Sequence, residues 1–161
     1  MKWVGALTIT AVCYFIGVLL AKNESDKIKS IESLLSLISY MKRRITAERA
    51  PIYEIFSSFS DGFLEERGFL PILRAHRLGT PLLWEDALKT IPVSAEARLE
   101  LIRFGNELGT LTFEAQLKRI DSLKEFLDSE RNDLKQTLPK KQKSLKTVWL
   151  LSGLLISIIL L

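Results

Sequence analysis

The run Phe113-Glu-Ala-Gln-Leu-Lys-Arg-Ile-Asp-Ser-Leu-Lys-Glu-Phe-Leu-Asp-Ser-Glu-Arg-Asn-Asp-Leu-Lys-Gln-Thr-Leu138 decides the fold class. Phe113, Leu117, Ile120, Leu123, Leu127, Leu134 and Leu138 recur at helical spacing, so they share one face of a helix whose other faces carry charge. Such a stripe needs a partner. Ile28, Ile31, Leu35, Ile38 and Ile45 repeat in the same way, with Leu34 and Met41 beside them. Two stripes of this kind predict two long helices packed antiparallel, one over Asp26–Arg44 with Ser25 or Asp26 as its cap, the other starting at Thr110 or Thr112.

The chain between them is punctuated. Pro51 suits the first turn of a short helix, where its missing N–H costs nothing, with Ile52, Ile55, Phe56 and Phe59 facing inward and Asp61-Gly62 at its end. Arg67-Gly68 reads as a loop. A second short helix around Pro71 contains His76 and closes near Gly79. Pro81 opens a third, with Leu82, Leu83, Trp84, Ala87, Leu88 and Ile91 for the core, and Pro92 stops it. Ser94 is an N-cap with Glu96 in the first turn of a helix that runs to Leu108, and Gly109 falls where a left-handed helix cap is wanted. No run alternates β-branched and polar residues. The expected fold class is all-α: an antiparallel helical bundle with short angled helices.

Outward from the bundle lie two apolar ends. All 19 acidic residues and 22 of the 23 basic ones fall between Lys22 and Lys146. Trp3 to Ala21 is 19 residues without a charge, the length of a transmembrane helix. A cleavable signal peptide is the rival, but Leu19-Leu20-Ala21 puts a bulky residue where the cleavage pattern wants a small one. After Lys146 come 15 uncharged residues. They reach about 22 Å as a helix, and a snorkelling Lys146 makes up the shortfall against a core about 30 Å thick. The division expected is therefore 1–21 and 147–161 as transmembrane helices, with 22–146 between them as a helical domain. Lysines flanking both spans on the domain side, Lys22, Lys27 and Lys29 after the first and Lys140 to Lys146 before the second, favour a cytoplasmic position for that domain. Lys42, Arg43 and Arg44 end the first bundle helix, and Lys140, Lys141, Lys143 and Lys146 precede the last span. They are either solvated helix ends or membrane-proximal contacts to headgroups. Pro139 has no N–H for the carbonyl four residues back, so a kink or break, and hence a hinge, is expected there.

Little in the sequence points to catalysis. The one histidine, His76, stands between Arg74 and Arg77 with no obvious partner. The one cysteine, Cys13, lies in an apolar segment, so neither an internal disulfide nor a cysteine-held metal site is available. Neighbours such as Glu65-Glu66 and Glu85-Asp86 point about 100° apart on a helix and do not share a site. No phosphate-binding glycine loop or catalytic signature is present. A net charge of +4 is too dilute for a nucleic-acid-binding surface. The expectation is a non-enzymatic protein without cofactor, metal, nucleic acid or small-molecule substrate. What stands out is the corner Phe104-Gly105-Asn106-Glu107-Leu108-Gly109, followed by Gln116. Gly105 lets two helices approach closely and Gly109 caps. Beyond those structural uses the corner is a candidate docking surface.

At these residues the sequence resembles the stage III sporulation protein AB family of spore-forming bacteria. The likeness covers nearly the whole chain. It includes Pro51-Ile-Tyr-Glu-Ile-Phe56, Trp84, the Phe104-Gly-x-x-Leu-Gly109 pattern with Gln116 after it, and the final Leu-rich span with Gly153. The family is similar to the platform protein of type II secretion and type IV pilus systems. The resemblance implies a membrane platform or adaptor in a secretion-like channel between mother cell and forespore. It places the protein on the mother-cell side, in the outer forespore membrane, with a secretion-type ATPase and other membrane components of the channel as partners. An alternative from the residues alone is a membrane-shaping or sealing protein that acts on lipid through its two anchors and basic stripe.

Overall fold

A computed structural model describes residues 2–75 and 83–160; within 2–21 and 141–160 only some of the side chains are described. His76, Gly79, Pro81 and Leu82 lie outside the described residues, as does the side chain of Cys13. The described residues form seven helices and no strand: α1 (Lys2–Glu48), α2 (Ile52–Ser58), α3 (Gly62–Glu66), α4 (Phe69–Arg74), α5 (Trp84–Leu88), α6 (Ala95–Glu107) and α7 (Phe113–Leu160). The chain is all-α. It divides into two compact units, Lys27–Asn132 on one hand and, on the other, the residues up to Asp26 with those from Asp133 onward.

In the Lys27–Asn132 unit, α1 and α7 run antiparallel. Three pairings set the direction. Arg49, just past α1, lies over the ring of Phe113 at 5.5 Å; Lys42 bonds Asp121 at 2.6 Å; and Leu35 and Asp128 line the same groove. As one number rises the other falls. The expected stripe on α1 is buried, from Ile28 to Ile45. So are Leu37, Ser30 and Ser33, which lie off that stripe. The reason is that α1 is covered from more than one side: α7 supplies Ile120, Leu123 and Leu127, while α2 ties to it through Tyr40 and Arg44. Small serines let the neighbouring elements come close.

The short helices start and stop where local chemistry dictates. Asp61 does not end α2, which stops at Ser58; it opens α3, its side chain accepting the Leu64 N–H at 3.0 Å. Gly68 precedes α4 at φ 84°, a left-handed conformation open to glycine at little cost. Pro71 is the third residue of α4, within the first turn, where an N–H has no helical partner to lose. Ser94 caps α6 as expected, accepting from Ala97 N–H at 3.1 Å. Ser94→Ala is expected to cost about 1 kcal/mol in chemical denaturation, with Ser94→Asp restoring most of it. The helix C-termini are closed by arginines from later in the chain. Arg74 donates to the carbonyls of Phe56, in the last turn of α2, and of Phe59, just past it; Arg98 donates to those of Leu88, the last residue of α5, and of Ile91 beyond it. Carbonyls left over at a helix end thus find donors.

In the second unit, α1 and α7 meet at Gly17, where an added Cβ would stand 3.1 Å from the Cβ of Trp149. Much of the remaining described surface is exposed and apolar, including Val12, Phe15, Leu19, Leu151 and Leu155. No cap interrupts α1 at Ser25 or Asp26, and Asp26 is itself buried. α7 continues through Pro139, which is exposed, so water can replace the hydrogen bond that proline removes. The expected helix break is absent. Among the described residues no helix is long and apolar enough to cross a membrane; the stretches 3–21 and 147–161 fall in large part outside the residues whose side chains are described.

Candidate docking site

The corner between α6 and α7 divides into an inward half and an outward half. Phe104 and Gly105 point inward, onto Trp84. The indole is buried and sits among Phe56, Phe69 and Phe104, with ring centroids 6.0, 5.6 and 5.9 Å away. Its Nε1–H donates to the carbonyl of Leu101 at 2.7 Å. That bond holds the ring against the backbone of α6, one turn before Gly105. A Cβ on Gly105 would lie 2.6 Å from the indole Cγ and 2.9 Å from Nε1. Glycine at 105 is therefore a packing requirement.

α6 ends at Glu107, and the chain reverses by a type II turn. Leu108 (φ −65°, ψ 120°) and Gly109 (φ 81°) are its central residues, and the Thr110 N–H closes it onto the Glu107 carbonyl at 3.2 Å. Gly109 is left-handed as expected, but as the third residue of this turn and not as a helix cap. The Ile52 Cδ1 stands 3.2 Å from where a Cβ would be. Arg119 then pins α7 to α6. Its Nη1 donates to Glu100 at 2.7 Å and its Nε to Glu107 at 2.5 Å. Burial disfavours the charge, but the bonds to Glu107 and Glu100 outweigh it and hold the guanidinium above its usual pKa.

The outward half is open. Asn106 and Gly109 are exposed, and Gln116 faces a groove of about 420 Å³ between the end of α1, the start of α2 and the start of α7. Ile45, Ala50 and Ile52 form its floor; Arg49, Phe113 and Gln116 stand at its edge. Phe113 leaves 42% of its surface exposed although it heads the α7 stripe. Of the candidate corner, then, Phe104 and Gly105 build the core, Glu107 and Leu108 the joint, and Gln116 the groove. Arg49, Ile52 and Phe113 were not among the docking candidates read from the sequence; Ile52 and Phe113 were read there as core positions.

The basic residues at the end of α1 are occupied within the fold. Lys42 pairs with Asp121, Arg44 with both Glu48 and Glu54, and Arg43 lies over the Tyr40 ring at 5.4 Å. Desolvation works against the charge on Arg44, but the carboxylates of Glu48 and Glu54 outweigh it and raise the pKa. Lys140 and Lys143 are exposed on α7, while the side chains of Lys141 and Lys146 lie outside the described residues.

A sequence model of the stage III sporulation protein AB family matches residues 2–161. The chain belongs to this family. As a stage III sporulation protein AB family member it is a sporulation protein, of a spore-forming bacterium. No curated protein and no solved structure matches it. In this sporulation protein the described groups of the corner supply shape, charge and apolar surface.

Proposed function

We propose that this sporulation protein is a non-enzymatic membrane platform or adaptor whose helical domain docks a secretion-type ATPase. It belongs, on this reading, to a channel complex between mother cell and forespore. Residues 1–21 and 147–161 are its transmembrane helices, and 22–146 the cytoplasmic domain on the mother-cell side of the outer forespore membrane. No cofactor, nucleic acid or small-molecule substrate takes part; the partners are the ATPase and other membrane components. The apolar surface exposed by Val12, Phe15, Leu19, Leu151 and Leu155 supports the anchors, since side chains of this kind are stable in lipid and costly in water.

The observation that carries the docking role is the corner between α6 and α7. Its inner half is locked by Trp84 and Arg119, and its outer half offers an open groove with an exposed aromatic ring. A rigid base under an accessible apolar surface is what a partner helix or loop needs. Action on lipid through a basic stripe is less well supported, because Lys42 and Arg44 are engaged by Asp121, Glu48 and Glu54. The test uses the full chain in lipid nanodiscs with the ATPase of the same complex. Co-elution in size exclusion, lost when Phe113 is changed to Asp, is the expected result. An ATPase that migrates alone at micromolar concentrations of both would overturn the docking role.

A further inference from the structure

The groove beside Phe113 contains a cation, Arg49, with which no described carboxylate pairs. Arg49 is held at φ 49°, the left-handed region that disfavours residues with a Cβ. Its position follows from the sequence. Ala50 precedes Pro51 and is thereby biased to extended backbone, so the chain leaves α1 by reversing at residue 49. Glycine would make that reversal without strain, so what arginine adds there is its side chain. The guanidinium lies over the Phe113 ring at 5.5 Å, which aims it along the groove edge. Among the described residues no carboxylate forms an ion pair with it. The carboxylates close in sequence, Glu48 and Glu54, are both held by Arg44. Lys42, Arg74 and Arg119, by contrast, each have their acid. The Gln116 side-chain amide on the same groove likewise makes no hydrogen bond with a described residue.

We propose that the groove receives an acidic and apolar segment of a protein partner. An aliphatic or aromatic side chain rests on Ile45, Ala50 and Ile52. An adjacent Asp or Glu pairs with Arg49, whose fork of donors suits a carboxylate. Gln116 bonds the segment's backbone. The groove's makeup argues for a peptide: the floor is hydrocarbon, the charge is single, and the amide can both donate and accept. This rests on the docking role proposed above and specifies the chemistry of the segment that docks.

The test selects peptides from a random display library of about 12 residues on the full chain in phosphatidylcholine nanodiscs. The same library is panned on Arg49→Gly, which relieves the left-handed strain and should melt no lower than the parent. Peptides enriched on the parent should carry Asp or Glu beside Leu, Ile or Phe. They should bind Arg49→Gly about 10-fold more weakly or worse, and Arg43→Gln with unchanged affinity. Replacing their acid by its amide should cost a similar factor. Enrichment of the same peptides on both chains, or of peptides without an acid, overturns the proposal. So does displacement of the selected peptides by phosphatidylglycerol vesicles as readily as by unlabelled peptide, which makes the groove a headgroup site. Self-association that Arg49→Gly abolishes makes it a site for a second copy and also overturns the proposal. If the ATPase binds parent and Arg49→Gly chains equally, the groove proposal fails while the docking role stands. If acidic peptides are selected but the ATPase binds neither chain, the docking role fails and the groove stands.

Discussion

Gly105→Ala is expected to destabilise the Lys27–Asn132 unit by about 3 kcal/mol, and to lower its Tm by roughly 12–20 °C. Two effects oppose each other. Alanine in a helix is favoured over glycine by about 1 kcal/mol. Against this, the new methyl would overlap the indole of Trp84, with Cγ 2.6 Å away. The ring cannot slide aside cheaply. Its Nε1–H is bonded to Leu101, and Phe56, Phe69 and Phe104 surround it. Displacing it loses a buried hydrogen bond worth about 1 kcal/mol and disorders four aromatic side chains. Steric cost exceeds propensity. The measurement is a urea or thermal transition of the detergent-solubilised chain, with Trp84→Leu as the second arm. In the double variant the added penalty of Gly105→Ala should nearly vanish, because the ring it collides with is gone. Equal penalties in both backgrounds would mean that some contact other than the indole sets the cost.

Arg119→Met should cost about 2 kcal/mol. Glu100 and Glu107 lie two turns apart on α6 and converge on one guanidinium, which is only 18% exposed. Removing it leaves two carboxylates facing each other across a half-buried gap. Solvent at Glu107 screens part of the repulsion, which keeps the figure below that of a fully buried pair. Arg119→Lys should recover little, since an ammonium is a single point charge and Arg119 reaches the two acids with different nitrogens. Adding Glu100→Gln and Glu107→Gln to Arg119→Met should restore most of the lost stability. If it does not, Arg119 contributes chiefly through the packing of its stem. The same variant should loosen the base of the groove, so its ATPase affinity reports how far docking depends on a fixed joint.

The two stripes and the cap at Ser94 were legible because each rests on neighbours within one or two turns. Gly105 was legible as a close approach, but not as an approach to Trp84. That contact joins residues 21 positions apart, and no periodicity connects them. Leu37 and Ser30 were missed because a single stripe presumes a single packing partner, whereas α1 has α7 on one side and α2 on another. Asp61-Gly62 suits the end of one helix as well as the start of the next, and only the direction of the side-chain bond to Leu64 separates them. Lys42-Arg43-Arg44 looked like solvated charge because the acids that Lys42 and Arg44 meet include two from later helices, Asp121 and Glu54. Arg49 was hidden for the opposite reason: no described carboxylate pairs with it, and its contact is with the Phe113 ring. The Ala50-Pro51 pair was the available signal, since it biases the chain out of the helix at residue 50.

The pairing of α1 with α7 also bears on how the chain is made. Lys42 and Asp121 are separated by 79 residues. At about 5–20 residues per second, a ribosome needs roughly 4–16 s to bring the second within reach of the first. Throughout that interval Ile31, Leu34 and Ile38 form a finished apolar ridge with only the short helices available to shield it. Closure of the bundle therefore waits until α7 has been made, and until then the short helices alone can cover this ridge.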